Sequence, residues 1–123
     1  VMASMKVKRK TVNRWGIYSK KNNINKNNFY INDVVEKPDI KSAPSNNAVI
    51  GRYILPKKIF KKLQNQKKGK GGEIHITDSI RRLIKDGETF VGHNFKGKYL
   101  DCGTMDGYIN SSIEISKIWN FAW

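Results

Sequence analysis

The sequence has 123 residues, 24 Lys+Arg against 10 Asp+Glu, a formal charge of +14 and 38% hydrophobic residues. That length excludes two separately cored domains, and the single cysteine, Cys102, excludes an internal disulfide framework, which suits a reducing cytoplasm. No apolar run approaches the roughly 18–20 residues of a membrane helix, and the basic cluster Lys6, Lys8, Arg9, Lys10 follows the first apolar stretch, the reverse of a signal peptide. A cytoplasmic protein without a membrane partner is the expectation.

In chain order, residues 1–7 read as a short strand, 15–18 as a second and 29–35 as a third. The tract Asn22-Asn23-Ile24-Asn25-Lys26-Asn27-Asn28 between the last two reads as a solvated turn, since Asn tolerates positive φ. Pro38 to Pro44 reads as a loop because each proline pushes its predecessor out of helical geometry. Residues 48–55 form a strand apolar on both faces, and Pro56 opens a helix with Ile59, Phe60 and Leu63 inward and Lys57, Lys58, Lys61 and Lys62 toward water. After a loop over 67–72, Thr77 is the expected N-cap of a helix with apolar face Ile80, Leu83 and Ile84, stopped by Gly87. Strands over 90–95 and 99–102 follow, and Thr104 caps a last helix with Met105, Tyr108, Ile109 and Ile113 on its inner side. Alternating strands and helices after a strand-rich first half predict an α/β domain with a mixed sheet.

The charge admits two readings. A strong positive balance is the usual footprint of a nucleic-acid binder. Here the excess is almost all lysine and runs alongside dense asparagine, with no Arg-rich stripe and no recognised motif. A basic nucleic-acid-binding module is therefore the alternative class, and no specific nucleic-acid partner is expected. Other standard chemistries are excluded directly. Gly69-Lys70-Gly71-Gly72-Glu73 lacks the Gly-Lys-Ser/Thr of a P-loop, and His75 and His93 with one Cys are too few for a zinc site.

What remains is a series of ordered words: Trp15-Gly16-Ile17, Val35-Glu36-Lys37-Pro38, Ala43-Pro44-Ser45-Asn46, Val49-Ile50-Gly51-Arg52-Tyr53, then residues 71–78 (Gly-Gly-Glu-Ile-His-Ile-Thr-Asp) and Tyr99-Leu100-Asp101-Cys102-Gly103. Taken singly they have ordinary explanations. Glu36-Lys37 could be an exposed charge pair, Asp78 a carboxylate favoured at a helix start, and Gly16 a bulge. In this order and spacing they resemble the C-terminal part of the bacterial UTP–glucose-1-phosphate uridylyltransferases (UDP-glucose pyrophosphorylases).

That resemblance implies a Rossmann-like mixed-sheet nucleotidyltransferase fold, of which these residues would be the C-terminal, sugar-phosphate-binding portion. The N-terminal nucleotide-binding half, with its glycine-rich loop, would lie outside them, and Val1 in place of Met fits a piece of a longer protein. It further implies transfer of a uridylyl group from UTP to glucose 1-phosphate, giving UDP-glucose and pyrophosphate with Mg2+. Lys37 would hold the sugar phosphate, Glu36 would accept hydrogen bonds from glucose hydroxyls, Gly16 would let the sugar approach the backbone, and Asp78 would help hold the metal. No self-contained catalytic set is expected, so the chain alone would be inactive. A partial sheet would also leave an open strand edge and uncovered apolar surface, predicting a homo-oligomer. Glu36 and Lys37 can serve one ligand only if the strand ends or bends there, and Pro38 supplies a reason for it to do so. One departure stands out: Thr104-Met105-Asp106 replaces the family's Ser-Lys-Leu, losing a basic residue and gaining an acidic one.

Overall fold

In the computed structural model, which describes residues 1–119, the strands are β1 (Met2–Lys6), β2 (Gly16–Asn23), β3 (Asn28–Glu36), β4 (Asn47–Tyr53) and β5 (Phe90–Asn94). The helices are α1 (Lys58–Gln64), α2 (Ile76–Lys85) and α3 (Met105–Trp119), with short 3-10 turns at Arg9–Arg14 and Lys70–Gly72. The mixed α/β character matches the expectation. β1 and β5 are parallel and every other pairing is antiparallel. The open edge expected of a partial sheet is absent among the described residues: the strands close a ring in the order β1-β4-β2-β3-β5, joined between β2 and β4 by the single pair Ile17 and Ala48.

Side-chain alternation explains the main core. Phe29, Ile31, Val34, Tyr18, Met2 and Phe90 turn inward and meet Ile59 of α1 and Ile80 and Leu83 of α2. Each such large apolar side chain contributes about 1.5–3 kcal/mol on burial. A smaller cluster of Val12, Ile17, Ala43 and Ala48 packs against Val7 and Trp15. Between the strands Asn47 donates its amide to Ser4 Oγ at 3.0 Å and to Asn94 Oδ1 at 2.8 Å, tying β4 to β1 and β5 through a satisfied polar group. At Gly51, whose φ is +70°, β4 bulges, so that Met2 faces Tyr53 while Ser4 faces Val49.

Several sequence expectations need correction. The Lys/Asn tract is a turn over 24–27 as expected, but its ends at 22–23 and 28 are strand, because the Asn25 side chain accepts the backbone N–H groups of Asn27 and Asn28, both at 2.9 Å, and keeps the turn short. Only the first half of β4 is buried on both faces, since Gly51 and Arg52 are exposed. Phe60 of α1 is 65% exposed while Ile59 is buried. Thr77 does not cap α2: the helix begins at Ile76 with His75 at the cap position, and the Thr77 hydroxyl is bonded elsewhere. Gly87 ends α2 as expected, with φ +91° and backbone bonds from Gly87 to Ile84 and from Glu88 to Leu83. Residues 99–102 are irregular, since both sides of β5 are already taken by β1 and β3.

The largest correction concerns α3. Thr104 caps it, its hydroxyl accepting the Gly107 N–H at 3.1 Å. Met105, Tyr108, Ile109 and Ile113, however, face outward. The inward side is Gly107, Asn110, Ser111 and Glu114, set against Met5 and the 97–101 segment. Here an apolar stripe of helical period faces away from the core.

β3 ends sharply. Lys37 has φ +43°, and its N–H donates to the Trp15 carbonyl at 3.0 Å, locking a left-handed turn directly after Glu36. A side chain in that conformation costs roughly 1–2 kcal/mol. Lys37→Gly should therefore be more stable than Lys37→Ala by about 1 kcal/mol in urea unfolding; equal stabilities would show that the turn relaxes.

Buried Tyr18 sets a second expectation. Its hydroxyl donates to the Ala3 carbonyl at 3.1 Å, and burial, reinforced by Tyr53, pushes the phenol far above its usual value of 10.0. Above about pH 10 the unfolded chain releases this proton and the folded chain keeps it, so stability falls as pH rises. Tyr18→Phe should cost about 1 kcal/mol near neutrality and flatten the loss between pH 9 and about pH 11, as read by denaturant unfolding. An unchanged alkaline slope would assign it to other groups.

Candidate functional site

The antiparallel register of β2 and β3 places Gly16 directly opposite Glu36. The tryptophan-glycine and glutamate-lysine words, twenty residues apart in sequence, thereby become neighbours. α2 packs across the same end of β3 and brings Thr77 with it, so that the Thr77 hydroxyl donates to Glu36 Oε2 at 2.8 Å. β4 contributes Val49, Ile50, Gly51 and Tyr53, and the irregular segment after β5 contributes Tyr99. Together with Arg14, Trp15, His75 and Ile76 these residues surround an open cavity of about 290 Å3. Five of the six sequence words thus supply lining residues. The sixth, Ala43-Pro44-Ser45-Asn46, is scaffolding: the Arg9 guanidinium donates to the Ala43 carbonyl at 2.8 Å, and Ser45 Oγ accepts the Asn47 N–H at 3.0 Å.

The cavity is walled by aromatic side chains and carries one carboxylate. Trp15 and Tyr99 meet edge to face, their ring centroids 5.3 Å apart and their planes at 77°. Burial, then the charge of Glu36, push the Tyr53 phenol above its usual value, with Tyr99 adding to this and a hydrogen bond at the Gly51 backbone opposing it. At neutral pH Tyr53 is therefore a hydroxyl able to donate. Gly16 is required by space: a Cβ there would lie 3.1 Å from Glu36 Oε2 and 3.2 Å from both Thr77 Cγ2 and Val49 Cγ2. A side chain there would press on the carboxylate, the threonine and the valine, each of which would have to give by a few tenths of an ångström.

Of the residues singled out in the sequence, Gly16 and Glu36 line the cavity side by side. Lys37 follows Glu36 at the cavity's edge, exposed and outside the lining set; its left-handed turn removes the alternation that would send it to the opposite face of a straight strand. Asp78 is not brought into the cavity. Its carboxylate lies against the glycine-rich loop, with Oδ2 2.5 Å from where a Gly69 Cβ would be. No group of three His, Cys, Asp or Glu side chains able to hold a metal exists among the described residues. A lone carboxylate does not satisfy Mg2+, which wants six oxygens in octahedral array, so these residues do not fit the ion by themselves. The sequence reading gave Thr77, Tyr53, Tyr99, Arg14 and His75 no role in a site. Thr77 carried a signal that pointed the wrong way, because a Thr-Asp pair at a helix start is also a good cap.

No helix among the described residues is long and apolar enough to cross a membrane. Comparison with known proteins agrees with the geometry. A family model described as "Nucleotidyl transferase" matches residues 2–117. A UTP–glucose-1-phosphate uridylyltransferase of Pseudomonas aeruginosa is 41% identical over 112 residues, covering 91% of this chain and 39% of its own length. The UTP–glucose-1-phosphate uridylyltransferase 1 of Staphylococcus saprophyticus is 39% identical, over 84% of this chain and 35% of its own. Among solved structures, a UDP-glucose pyrophosphorylase complexed with UDP-glucose superposes with a TM-score of 0.88 at 40% identity, covering 95% of this chain and 44% of that one. A UTP-bound UGPase from Acinetobacter baumannii gives 0.77 at 32% identity, over 94% and 39%. The chain therefore spans about two fifths of the length of the curated relatives it matches. With a family model covering nearly all of it, the chain belongs to the nucleotidyl transferase family of enzymes.

Proposed function

We propose that this chain is the C-terminal, sugar-phosphate-binding portion of a UTP–glucose-1-phosphate uridylyltransferase, part of a Rossmann-like fold completed by a nucleotide-binding half outside these residues. The observation that carries the reading is the convergence of five separated words on one cavity. In the proposed reaction a phosphate oxygen of glucose 1-phosphate attacks the α-phosphorus of UTP, forming UDP-glucose and releasing pyrophosphate. This chain's part is to hold the attacking group. Glu36 accepts from sugar hydroxyls, Gly16 leaves the backbone open to the ring, and the aromatic side chains of Trp15, Tyr53 and Tyr99 exclude water from its flanks. The Lys37 ammonium meets the phosphate as a compact charge. Asp78 would supply one oxygen to a Mg2+ whose other ligands lie elsewhere in the whole enzyme.

Purified alone, the chain should form no UDP-glucose from UTP, glucose 1-phosphate and Mg2+. It lacks the groups that align the triphosphate, a proximity effect worth up to about 7–11 kcal/mol. Robust turnover in a coupled pyrophosphate assay would overturn the division into halves. Fused to the nucleotide-binding half of a relative and active, the chain should lose about two to three orders of magnitude in kcat/KM for glucose 1-phosphate on Lys37→Ala, as expected when a desolvated anion loses its partner. Lys37→Arg should recover part of it, and Lys61→Ala, on the outer face of α1, should change little. Equal losses at Lys37 and Lys61 would reduce the effect to net charge.

Self-association belongs to the same proposal. The outward apolar face of α3, with Met105, Ile109 and Ile113 exposed, is suited to a second copy of the chain. α3 carries Asp106 in its first turn and Lys117 in its last, so an antiparallel pair sets Asp106 against Lys117 of the partner subunit at both ends. Sedimentation should find a dimer that Ile109→Glu with Ile113→Glu converts to monomer; a wild-type monomer at high concentration would refute it.

A further inference from the structure

We infer that Thr77 is the positioning residue of this site, its hydroxyl holding the Glu36 carboxylate so that one oxygen is committed to the protein and the other is presented to sugar hydroxyls. The inference rests on the sugar-phosphate reading of the cavity.

Three observations carry it. The Thr77 hydroxyl donates to Glu36 Oε2 at 2.8 Å, a charge-assisted bond. Thr77 is only 4% exposed, so its hydroxyl has little access to water and would be costly to leave without an acceptor. The bond is also enclosed: a Cβ on Gly16 would press on Oε2 from one side and on the Thr77 methyl from the other, so the absence of a side chain at 16 is what leaves room for the pair. Thr77 in turn is held by α2, which Ile80 and Leu83 anchor in the core, so the donor sits on a rigid element. No side-chain cap bond is made at the α2 N-terminus, and the threonine that would have made one is turned toward β3.

The chemistry requires such a constraint. Sugar phosphates that are epimers differ only in the direction of one hydroxyl. An acceptor tells them apart only if its lone pairs are fixed to within about 0.5 Å and 10–20°. A glutamate at the last residue of a strand, half-buried beside a turn, otherwise keeps several rotamers and accepts either epimer by swinging. Thr77 removes that freedom without touching the sugar.

Calorimetric titration of glucose 1-phosphate and galactose 1-phosphate into the purified chain tests this. The wild-type chain should prefer the glucose compound, and Glu36→Ala should abolish the preference. Thr77→Val keeps the shape and loses the hydroxyl, and it should shrink the preference by about threefold to tenfold, the size of one hydrogen bond. Thr77→Ser keeps the hydroxyl and should retain it. Thermal unfolding checks each fold, and Thr77→Ala serves as a second hydroxyl-free variant with the same expectation as valine. If the hydroxyl-free variants keep the preference while Glu36→Ala loses it, Thr77 only packs, and the inference falls while the sugar-phosphate reading stands. Loss of the preference in Thr77→Ser with its retention in Thr77→Val would likewise assign the role to the methyl group. A wild-type chain that shows no preference, or a Glu36→Ala chain that keeps it, would overturn both.

Discussion

The register of β2 against β3 is the constraint on which the site depends. Because side chains alternate along a strand, a shift of one residue in that ladder would turn the inward Phe29 and Ile31 outward and bring Tyr30 and Asn32 inward. The same register puts Gly16 opposite Glu36. Core packing and site geometry are therefore read from one set of backbone hydrogen bonds, and neither can change without the other. The bond from the Lys37 N–H to the Trp15 carbonyl closes that ladder and converts its end into a turn, so the acid and the base that follow one another in sequence lie at the same corner of the molecule.

Placement of α2 is the second requirement. Its inner side chains belong to the core, yet its first turn belongs to the cavity. Tyr53 shows the electrostatic side of this arrangement, since its burial and the nearby Glu36 carboxylate both favour the neutral phenol, which remains a donor. Polar groups in this region are accounted for by local partners: Ser45 serves the entry to β4, and Asn47 bridges Ser4 and Asn94. Such fully paired groups specify which strands meet, while the apolar side chains supply most of the burial.

Much of the fold was legible because its signals are local. Short apolar and aromatic runs marked the strands, Pro38 foretold the break after Glu36, and Gly87 marked the end of α2. What was missed depends on distance. Thr77 looks like a cap because the acceptor that claims it, Glu36, is 41 residues away. The Lys/Asn tract looks like a loop because its composition is polar, although the Asn25 side chain folds the turn tightly enough for the flanking residues to pair. The helical period of α3 reveals an apolar stripe without revealing which way it faces, and here small and polar residues, Gly107 and Ser111, take the inner side. The β2–β3 register explains why two of the words singled out in the sequence, Trp15-Gly16 and Glu36-Lys37, meet at one cavity. The donor that holds the carboxylate had no signature of its own.

The closed ring of strands also sets an order of events during synthesis. Among the described strands β1 is made before the others, and its two neighbours are β4 and β5, the last of which begins at Phe90. At ribosomal rates of about 5–20 residues per second, β1 waits several to about twenty seconds for its final partner. During that interval the β2–β3 hairpin, whose contacts are local, can already form, while Met2 and the unpaired face of β1 stay exposed. Such a chain closes late and all at once, its slow step being the meeting of its first strand with its fifth.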